Sequence, residues 1–484
     1  MSKRQFLPTI IGLIIVNLFI KAIFIFGVDL QVQHEVGQSN YGLYFTLLNL
    51  CYIFQIINDF GLNLLHNTDT AVHGKVRIER YYQILRLKVI LALFYSTIVG
   101  IIAYVLGYGE MWKLLIWLIV NNILVSLIMV FRAGISGMGN YRAEAMISVM
   151  DKALMIVIGG SLLLSLTTFQ MEWFVWAQTG SLIITAAIAF IMTLKYIDRS
   201  PTSITLSPME VVFKDTLPYT LASLLMFIYT RSDSILIEKL MPDGTFHVGI
   251  YAAAYRLLDA ANMIAYLFSP LLLPMYARLI NDRSETLALL RISSGLMICI
   301  TGFIGWAGFW WAAPIMSSLY PAADEAWIMT FRLLILSHIP IGLMYLFSSY
   351  LTAVFELRKQ NMLFLAAVVI NIGLNLYLIP KHGTIGAATA ALATQAFATT
   401  GLILIGRKQL NEKLDFRRVL FILAYVLVLV TGGWILQSLS LPWILEMGFF
   451  LLAALIAGFL FGMLDMQAFK SIVMKRTEQM ESGD

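Results

Sequence analysis

Hydrophobic residues occur along this chain in fourteen long stretches that are separated by short polar connections. Each stretch is long enough to cross a bilayer, whose hydrocarbon core is about 30 Å thick. Stretches such as Phe449–Met463 are apolar on every face, whereas the strands of a membrane barrel alternate apolar and polar residues. The pattern therefore predicts an all-α polytopic membrane protein. The predicted helices span residues 6–26, 41–65, 89–106, 112–131, 153–168, 173–194, 216–237, 249–273, 293–313, 328–354, 362–379, 384–406, 418–437 and 443–464.

The composition leaves little room for a soluble domain. Of the 484 residues, 60% are hydrophobic and 13% are charged, and the mean hydropathy is +0.82. A soluble fold of this length cannot cover so much apolar surface, so the bilayer is the solvent for most of the chain. The net charge of +5 follows from a topological bias of basic residues and does not indicate a nucleic-acid partner.

Basic residues are concentrated in alternate connections, which predicts the orientation of the chain. Cytoplasmic connections are enriched in Lys and Arg in membrane proteins, so both termini are expected in the cytoplasm. Two connections assigned to the inside are dense in basic residues: Lys75, Arg77, Arg80, Arg86 and Lys88 in one, and Arg407, Lys408, Lys413, Arg417 and Arg418 in the other. The predicted outside holds only Lys113, Lys239 and Lys381.

A short sequence recurs six predicted helices apart. Tyr41-Gly42-Leu43-Tyr44 opens the second helix, and Val248-Gly249-Ile250-Tyr251 opens the eighth. Because six is an even number, the two repeats would share their orientation and be related by a pseudo-two-fold axis along the membrane normal. We therefore expect two six-helix lobes, residues 1–200 and 201–408, around a central cavity. Residues 409–484 would add two helices and a short cytoplasmic tail.

Charged residues inside the predicted helices are candidates for function, because each costs roughly 2.5–3.5 kcal/mol near the centre of a span. The alternative is that they lie near an interface or pair to fix helix packing. Bases exceed acids in the outer halves of the helices, and such a surplus favours an anionic ligand, with arginine forks suited to a pyrophosphate. The eight charges are Lys21, Asp59, Arg231, Asp233, Arg256, Asp259, Arg332 and Glu446.

A polar stripe on the eighth helix is a candidate sugar-binding wall. Tyrosine rings stack on pyranose faces, and amides bond to hydroxyl groups, although a wet helix–helix interface would have the same composition. The stripe has helical spacing and consists of Tyr251, Tyr255, Asp259, Asn262 and Tyr266. The acids Asp233, Asp259 and Asp59 are candidates for ion coupling or for balancing the bases. The sequence contains no recognisable cluster of metal ligands and no recognisable catalytic triad, so we expect neither a metal nor a cofactor.

The chain resembles the Wzx-type polysaccharide flippases of the multidrug/oligosaccharidyl-lipid/polysaccharide exporter superfamily. The resemblance rests on Tyr229–Asp233, on Val248–Arg256, on Ser269-Pro270 through Met275, and on the turn from Asn371 and Asn375 to Gly386. It implies a transporter that flips a polyprenyl-pyrophosphate-linked oligosaccharide across the bacterial inner membrane by alternating access. It also implies that basic cavity residues hold the pyrophosphate: Arg256 and Arg231 first, then Lys21 and Arg332.

The resemblance further implies membrane lipids as neighbours, and a polysaccharide polymerase and glycosyltransferases as partners. Fourteen spans departs from the twelve usual in many Wzx-type members and is similar to the lipid II flippases, so the glycan is open. One alternative is a cation-coupled multidrug exporter of the same superfamily, which the positive charge of the cavity disfavours. Another is a membrane-embedded glycan polymerase or transferase, which the short outer connections disfavour. We expect a transporter, with coupling to a Na⁺ or H⁺ gradient open, and not an enzyme.

Overall fold

The computed structural model describes residues 16–165, 168–198, 209–266, 268–412 and 415–464, and nearly all of them are helical. In lipid the backbone has no water to bond with, so its polar groups are satisfied within helices. Eleven helices in these ranges are long and apolar enough to cross a membrane. The prediction of an all-α polytopic membrane protein is confirmed. Residues 1–15, the predicted lobe boundary at 200/201 and the tail from residue 465 lie outside the described part of the chain.

The chain forms two compact units, Met1–Ala252 and Ala253–Asp484. The first contains a pair of two-residue parallel strands, β1 (Val76–Arg77) and β2 (Ile197–Asp198). Its helices are α1 (Val16–Ile53), α2 (Gln55–Asp59), α3 (Leu62–His73), α4 (Ile78–Val105), α5 (Trp112–Gly137), α6 (Tyr141–Ser165), α7 (Met171–Leu194), α8 (Met209–Leu240) and the start of α9 (Gly244–Tyr266).

The second unit begins within α9 and is entirely helical in the residues described. Its further helices are α10 (Phe268–Arg278), α11 (Arg283–Trp310), α12 (Ala312–Leu319), α13 (Glu325–Leu336), α14 (His338–Ala353), α15 (Leu357–Gln409), α16 (Phe416–Ser438) and α17 (Trp443–Leu460). The predicted division into residues 1–200, 201–408 and 409–484 stays a prediction.

Two of the eleven long helices contain a break. The backbone is non-helical at Gly37 in α1 (φ 76°, ψ 167°) and at Gly383 in α15 (φ 57°, ψ −133°). A straight 53-residue helix would be about 80 Å long, far longer than a bilayer is thick. Instead the chain folds back at this break and brings Gly386 close to Leu378. A Cβ on Gly386 would lie only 2.4 Å from the carbonyl oxygen of Leu378. With these breaks and the α9–α10 segment, the described helices agree with the fourteen hydrophobic stretches.

The first helix extends further than its apolar residues. We expected a connection over 27–40, but the structure has a π-helical turn at Phe24–Asp29 and remains helical up to Gly37. The reason is that its polar residues have partners in the protein. The Tyr41 hydroxyl donates to Asp29 Oδ2 at 2.8 Å, and Gln33 Nε2 donates to the Gly249 carbonyl at 3.0 Å. The helix end that hydropathy predicts, residue 26, is therefore too early in the chain.

The connection before α4 is packed against the one after α7. Val76 pairs with Ile197 and Arg77 with Asp198 in the β1–β2 ladder, and Lys75 forms an ion pair with Asp198. Arg77 also pairs with Asp69. We assigned the basic residues here to a cytoplasmic connection, and in the structure Arg77 is buried, as is Arg80 at the start of α4. Their charges are compensated inside the protein.

The last two helices pack on α11. Tyr425 on α16 donates to the Cys299 carbonyl at 3.2 Å, and aromatic and aliphatic residues of α11, α16 and α17 share one hydrophobic core. Glu446 on α17 accepts a hydrogen bond from Trp311 Nε1 at 2.6 Å and is 5% exposed. Glu446, in the first turn of α17, thus has its hydrogen-bond partner within the protein.

Candidate functional site

Arg231 and Asp233 on α8 point toward different helices. Arg231 Nη1 lies 3.5 Å from Asn49 Oδ1, and its guanidinium lies 5.6 Å from the centre of the Tyr52 ring, both on α1. Asp233 Oδ2 accepts a hydrogen bond from the Tyr251 hydroxyl of α9 at 2.7 Å. Two residues apart on a helix are about 200° apart around it, so each side chain takes a partner on another element, as the spacing predicts.

Close backbone contacts hold α1, α8 and α9 together at this site. A Cβ on Gly42 would lie 1.8 Å from the Thr245 carbonyl oxygen, so the two helices touch where a side chain cannot fit. Asn49 Nδ2 donates to Ser234 Oγ at 3.0 Å, which joins α1 to α8. Asp233, Ser234 and Tyr251 are each about 1% exposed. The site is therefore rigidly positioned, with the half-buried Arg231 as its basic group.

Lys21 lies in a different part of the first unit. It interacts electrostatically with Asp151, Lys152, Arg132 and Glu144 on α5 and α6. Arg132 is near the end of α5 and Glu144 near the start of α6, which the predicted topology assigns to the inner side. Because α1 continues well beyond residue 26, Lys21 lies further from the end of its helix than the hydropathy pattern indicated. Lys21 and Arg231 have different described neighbours.

The polar stripe of α9 is mostly engaged in contacts between helices. Tyr251 is bonded to Asp233, and Asn262 Oδ1 lies 2.8 Å from Nδ1 of the buried His338 on α14. Tyr266 is 58% exposed, and its ring centre lies 5.6 Å from that of Tyr345. Tyr255 is buried. These contacts favour the interface interpretation for Tyr251 and Asn262 and leave Tyr266 as the most accessible ring of the stripe.

The other predicted bases belong to the second unit. Arg256 and Asp259 on α9 both interact with other groups, so neither is an isolated charge. Arg332 on α13 has its guanidinium 5.7 Å from the centre of the Phe309 ring. Its buried Nε has no hydrogen-bond partner within the described residues. Two of the four predicted pyrophosphate ligands, Lys21 and Arg231, thus lie in one unit, and the other two, Arg256 and Arg332, lie in the other.

Besides Arg77 and Arg80, a third basic residue assigned to the cytoplasmic connection is buried. Lys88 was assigned to a cytoplasmic loop, but it lies ten residues into α4 and is 6% exposed. Its Nζ lies 3.2 Å from Oδ1 of Asp59, the acid that we considered for ion coupling. A signal was available, because Lys88 has helical spacing from the buried Ile84, Leu91 and Tyr95. In the described residues, no group of three or more His, Cys, Asp or Glu could hold a metal ion.

A model of the family described as "Polysaccharide biosynthesis protein" matches residues 9–280, which is more than half of the chain. The chain belongs to this polysaccharide biosynthesis protein family. The matched residues of this chain include Lys21, Arg231, Tyr251 and Arg256, whereas Arg332 lies beyond them. No curated protein matches this chain.

Solved structures show which fold this family member has. A lipid II flippase MurJ in an inward closed conformation superposes with a TM-score of 0.64 at 15% identity, covering 95% of this chain and 98% of the other. A multidrug resistance MATE family transporter of the MOP superfamily, in an inward-facing conformation, gives a TM-score of 0.59 at 16% identity, with coverage of 82% and 98%. A MOP superfamily transporter from Pyrococcus furiosus gives 0.59 at 15% identity, with coverage of 82% and 94%. The resemblance seen in the sequence is confirmed: this is a multi-pass membrane protein with the fold of that superfamily.

Proposed function

We propose that this chain is a flippase that carries a polyprenyl-pyrophosphate-linked oligosaccharide from the inner to the outer leaflet of the bacterial cytoplasmic membrane by alternating access. Its product would serve the synthesis of a surface polysaccharide such as O-antigen, capsule or exopolysaccharide. The observation that carries the proposal is Arg231: a guanidinium held by an amide and a tyrosine ring inside a membrane-spanning helix of a polysaccharide biosynthesis protein. The distribution of basic residues supports an orientation with both termini in the cytoplasm.

A pyrophosphate head group cannot cross an apolar slab about 30 Å thick unless its oxygens have partners. Guanidinium groups replace water with paired N–H donors of matching geometry. In this proposal Arg231 and Arg256 are the main ligands of the pyrophosphate, and Lys21 and Arg332 are secondary ligands. The lipid tail stays in the bilayer while the head group moves, so the protein needs to solvate only the charged and sugar parts of the cargo.

The sugar units would be contacted by the stripe of α9. Tyr266 is the first candidate because its ring is the most accessible of the stripe. Tyr255 and Asn262 would contribute beside it, and Tyr251 would act mainly by orienting Asp233, to which its hydroxyl is already bonded. Offset stacking on an aromatic face and hydrogen bonds to hydroxyl groups suit many glycans, so these residues alone do not select one.

Net transport in one direction needs an energy source or removal of the product. Asp233 and Asp259 are the groups that we propose either to bind a coupling Na⁺ or H⁺ or to balance the nearby arginines. A polysaccharide polymerase and glycosyltransferases would be the partners that consume and supply the cargo. The role is that of a transporter, in which no covalent bond of the cargo is changed.

A proteoliposome assay tests the proposal. The purified chain is reconstituted with a polyprenyl-pyrophosphate oligosaccharide, and exposure of the glycan is followed with an externally added glycan-cleaving enzyme. R231A/R256A is compared with the wild type and with R358A/K359A, which removes two bases from exposed positions. We expect the wild type and this control to exceed empty vesicles, and R231A/R256A to be at least ~10-fold slower, equivalent to one lost charge-assisted hydrogen bond of about 1.4 kcal/mol.

Two outcomes would contradict the proposal at different levels. Equal rates for R231A/R256A and the wild type would remove these arginines from the mechanism while leaving the transport activity in place. No exposure above that of empty vesicles by the wild type would reject this cargo, and efflux of a cationic dye under an imposed ion gradient would then be measured.

A further inference from the structure

Between the candidate membrane spans α1 and α4, the chain is interrupted where α2 joins α3. Phe60 and Gly61 both have left-handed backbone conformations, with φ values of 45° and 80°. The interruption is fixed by Thr216 of α8, whose Oγ1 donates to the Phe60 carbonyl at 3.2 Å. A break of this kind leaves buried backbone carbonyl groups in need of partners. The structure supplies those partners from α4 and α5.

The partner is the ammonium group of Lys88. Its Nζ donates to the Asn58 carbonyl at 2.8 Å, to Ser126 Oγ at 2.7 Å and to Asp59 Oδ1 at 3.2 Å. An ammonium has three N–H donors, so all of them are used. The acceptors are a backbone carbonyl, a carboxylate and a hydroxyl group. Hard cations are bound in proteins by oxygens of these kinds.

We propose that this break is an oxygen-lined cation site that the chain fills with its own ammonium group, Lys88 Nζ. The charge is tethered to α4, so the break keeps its cation at all times and needs no free Na⁺ or K⁺. Asp59 balances this charge and does not couple transport to an ion. Lys88 is a positioning residue in this scheme: it holds α2 against α4 and α5 and does not contact the cargo.

Further polar atoms beside the break support a ligand-binding environment. Within the described residues, three buried side-chain atoms of this segment have no hydrogen-bond partner: Gln55 Oε1, Asn58 Nδ2 and Asn63 Oδ1. Asn58 itself is 1% exposed. Buried polar groups without partners are uncommon and costly. Two of these three atoms are oxygens, the element that hard cations prefer as a ligand.

Removing the amine while keeping the oxygens should convert this position into a site for free cations. In K88A the Asp59 carboxylate loses its buried counter-charge, which destabilises a protein strongly. A small monovalent cation could then enter the vacated volume and restore the charge balance. In K88R the guanidinium keeps both the positive charge and its N–H donors, so Asp59 keeps a counter-charge and no free cation is needed.

The test is thermal unfolding of the purified full-length protein in choline, sodium and methylammonium chloride at equal ionic strength. The wild type, measured in the same salts, corrects for cation effects at other sites. We expect K88A to unfold at a lower temperature than the wild type in choline and to recover at least half of that loss in sodium or methylammonium. K88R, which keeps the charge, should respond to the three salts as the wild type does. K88A/D59N should show no recovery, because the carboxylate is gone.

Three results would overturn the proposal. The first is a K88A protein with the same unfolding temperature in all three salts, and the second is a K88A protein that cannot be recovered folded in any of them. The third is equal recovery of K88A and K88A/D59N, since this would be a general salt effect. Recovery of folded K88A only in sodium or methylammonium supports the proposal. The measurement does not use transport, so its outcome is independent of the proposed flippase function.

Discussion

Gly42 and Gly249 pack against each other. A Cβ on Gly42 would lie 2.7 Å from the Gly249 nitrogen, and a Cβ on Gly249 would lie 2.3 Å from the Gln38 carbonyl oxygen. Real Cβ atoms do not approach backbone this closely. These are the two glycines of the matching sequences that led us to predict a repeat, so sequence likeness and close contact coincide at the same positions. The repeat of six helices itself stays a prediction.

We expect G249A to destabilise the protein, because the new methyl group would displace backbone atoms that cannot rotate away. Overpacking of this kind typically costs about 1–3 kcal/mol. The matched control is G373A on α15, where a Cβ would meet nothing within 4 Å. An alanine there should be neutral or stabilising, since glycine weakens helices by about 0.5–1 kcal/mol relative to alanine. Thermal unfolding in detergent checks both variants, and equal unfolding temperatures would contradict the argument.

The Tyr251–Asp233 hydrogen bond gives a second prediction. Y251F removes the donor while leaving the buried carboxylate in place, which should lower the free energy of unfolding by about 1–3 kcal/mol. D233N keeps an oxygen acceptor for the tyrosine and should cost less. The control is Y104F, because Tyr104 is 69% exposed. If Y251F unfolds at the same temperature as Y104F, the bond makes no contribution to stability.

His66 gives a prediction of pH dependence. It lies on α3, outside the eleven candidate membrane spans, and burial lowers its pKa from 6.5 to about 4, with Asp69 opposing this and Arg80 adding to it. The folded protein therefore binds this proton less readily than the unfolded chain. Stability should be unaffected above about pH 6.5 and should fall between pH 6.5 and 4, by up to about 1.4 kcal/mol per pH unit.

The measurement for His66 is thermal unfolding at pH 7.0, 5.5 and 4.5. H66Q should lose less stability than the wild type on acidification, because glutamine takes up no proton. H382Q, at an exposed position, should follow the wild type. Parallel pH profiles for the wild type and H66Q would show that the histidine is not the group that titrates.

Two variants of Glu446 distinguish the effect of its charge on stability from the effect of its hydrogen bond. E446Q keeps an oxygen that can accept from Trp311 Nε1, so its unfolding temperature should stay near that of the wild type. E446A leaves the buried indole N–H without a partner and should cost about 1–3 kcal/mol. Trp311 is 1% exposed, so water cannot readily replace the lost acceptor. A large loss in E446Q would show instead that the negative charge itself is required.

The sequence predicts the membrane-spanning helices well because lipid demands long apolar segments. It predicts their ends poorly where polar residues are buried against protein. Helix α1 continues beyond its apolar part through Asp29 and Gln33. Helix α4 begins before its apolar part and includes Lys88. Hydropathy treats these residues as solvated, whereas in the structure they have hydrogen-bond partners: Tyr41 of α1 itself for Asp29, Gly249 of α9 for Gln33, and Asn58 of α2 for Lys88.

Candidate residues for the site could be listed from the sequence, but their partners could not. The spacing of Arg231 and Asp233 excludes a direct pair, yet only the structure shows that Tyr251 is the partner of Asp233. The same holds for Asp59, whose partner Lys88 is brought to it by the packing of α4 on α2. Contacts between distant segments depend on helix rotation and register, which periodicity in one segment does not determine.

The β1–β2 ladder bears on how the protein is made. Val76 can meet Ile197 only after α4, α5, α6 and α7 have left the ribosome, roughly ten seconds later at ordinary rates of synthesis. Four passages, α4 to α7, separate the two strands, and an even number of passages brings both strands to the same side of the membrane. A nascent chain that failed to insert one of the four would leave them on opposite sides. Formation of the ladder is thus excluded for a chain in which a single one of these helices has not been inserted.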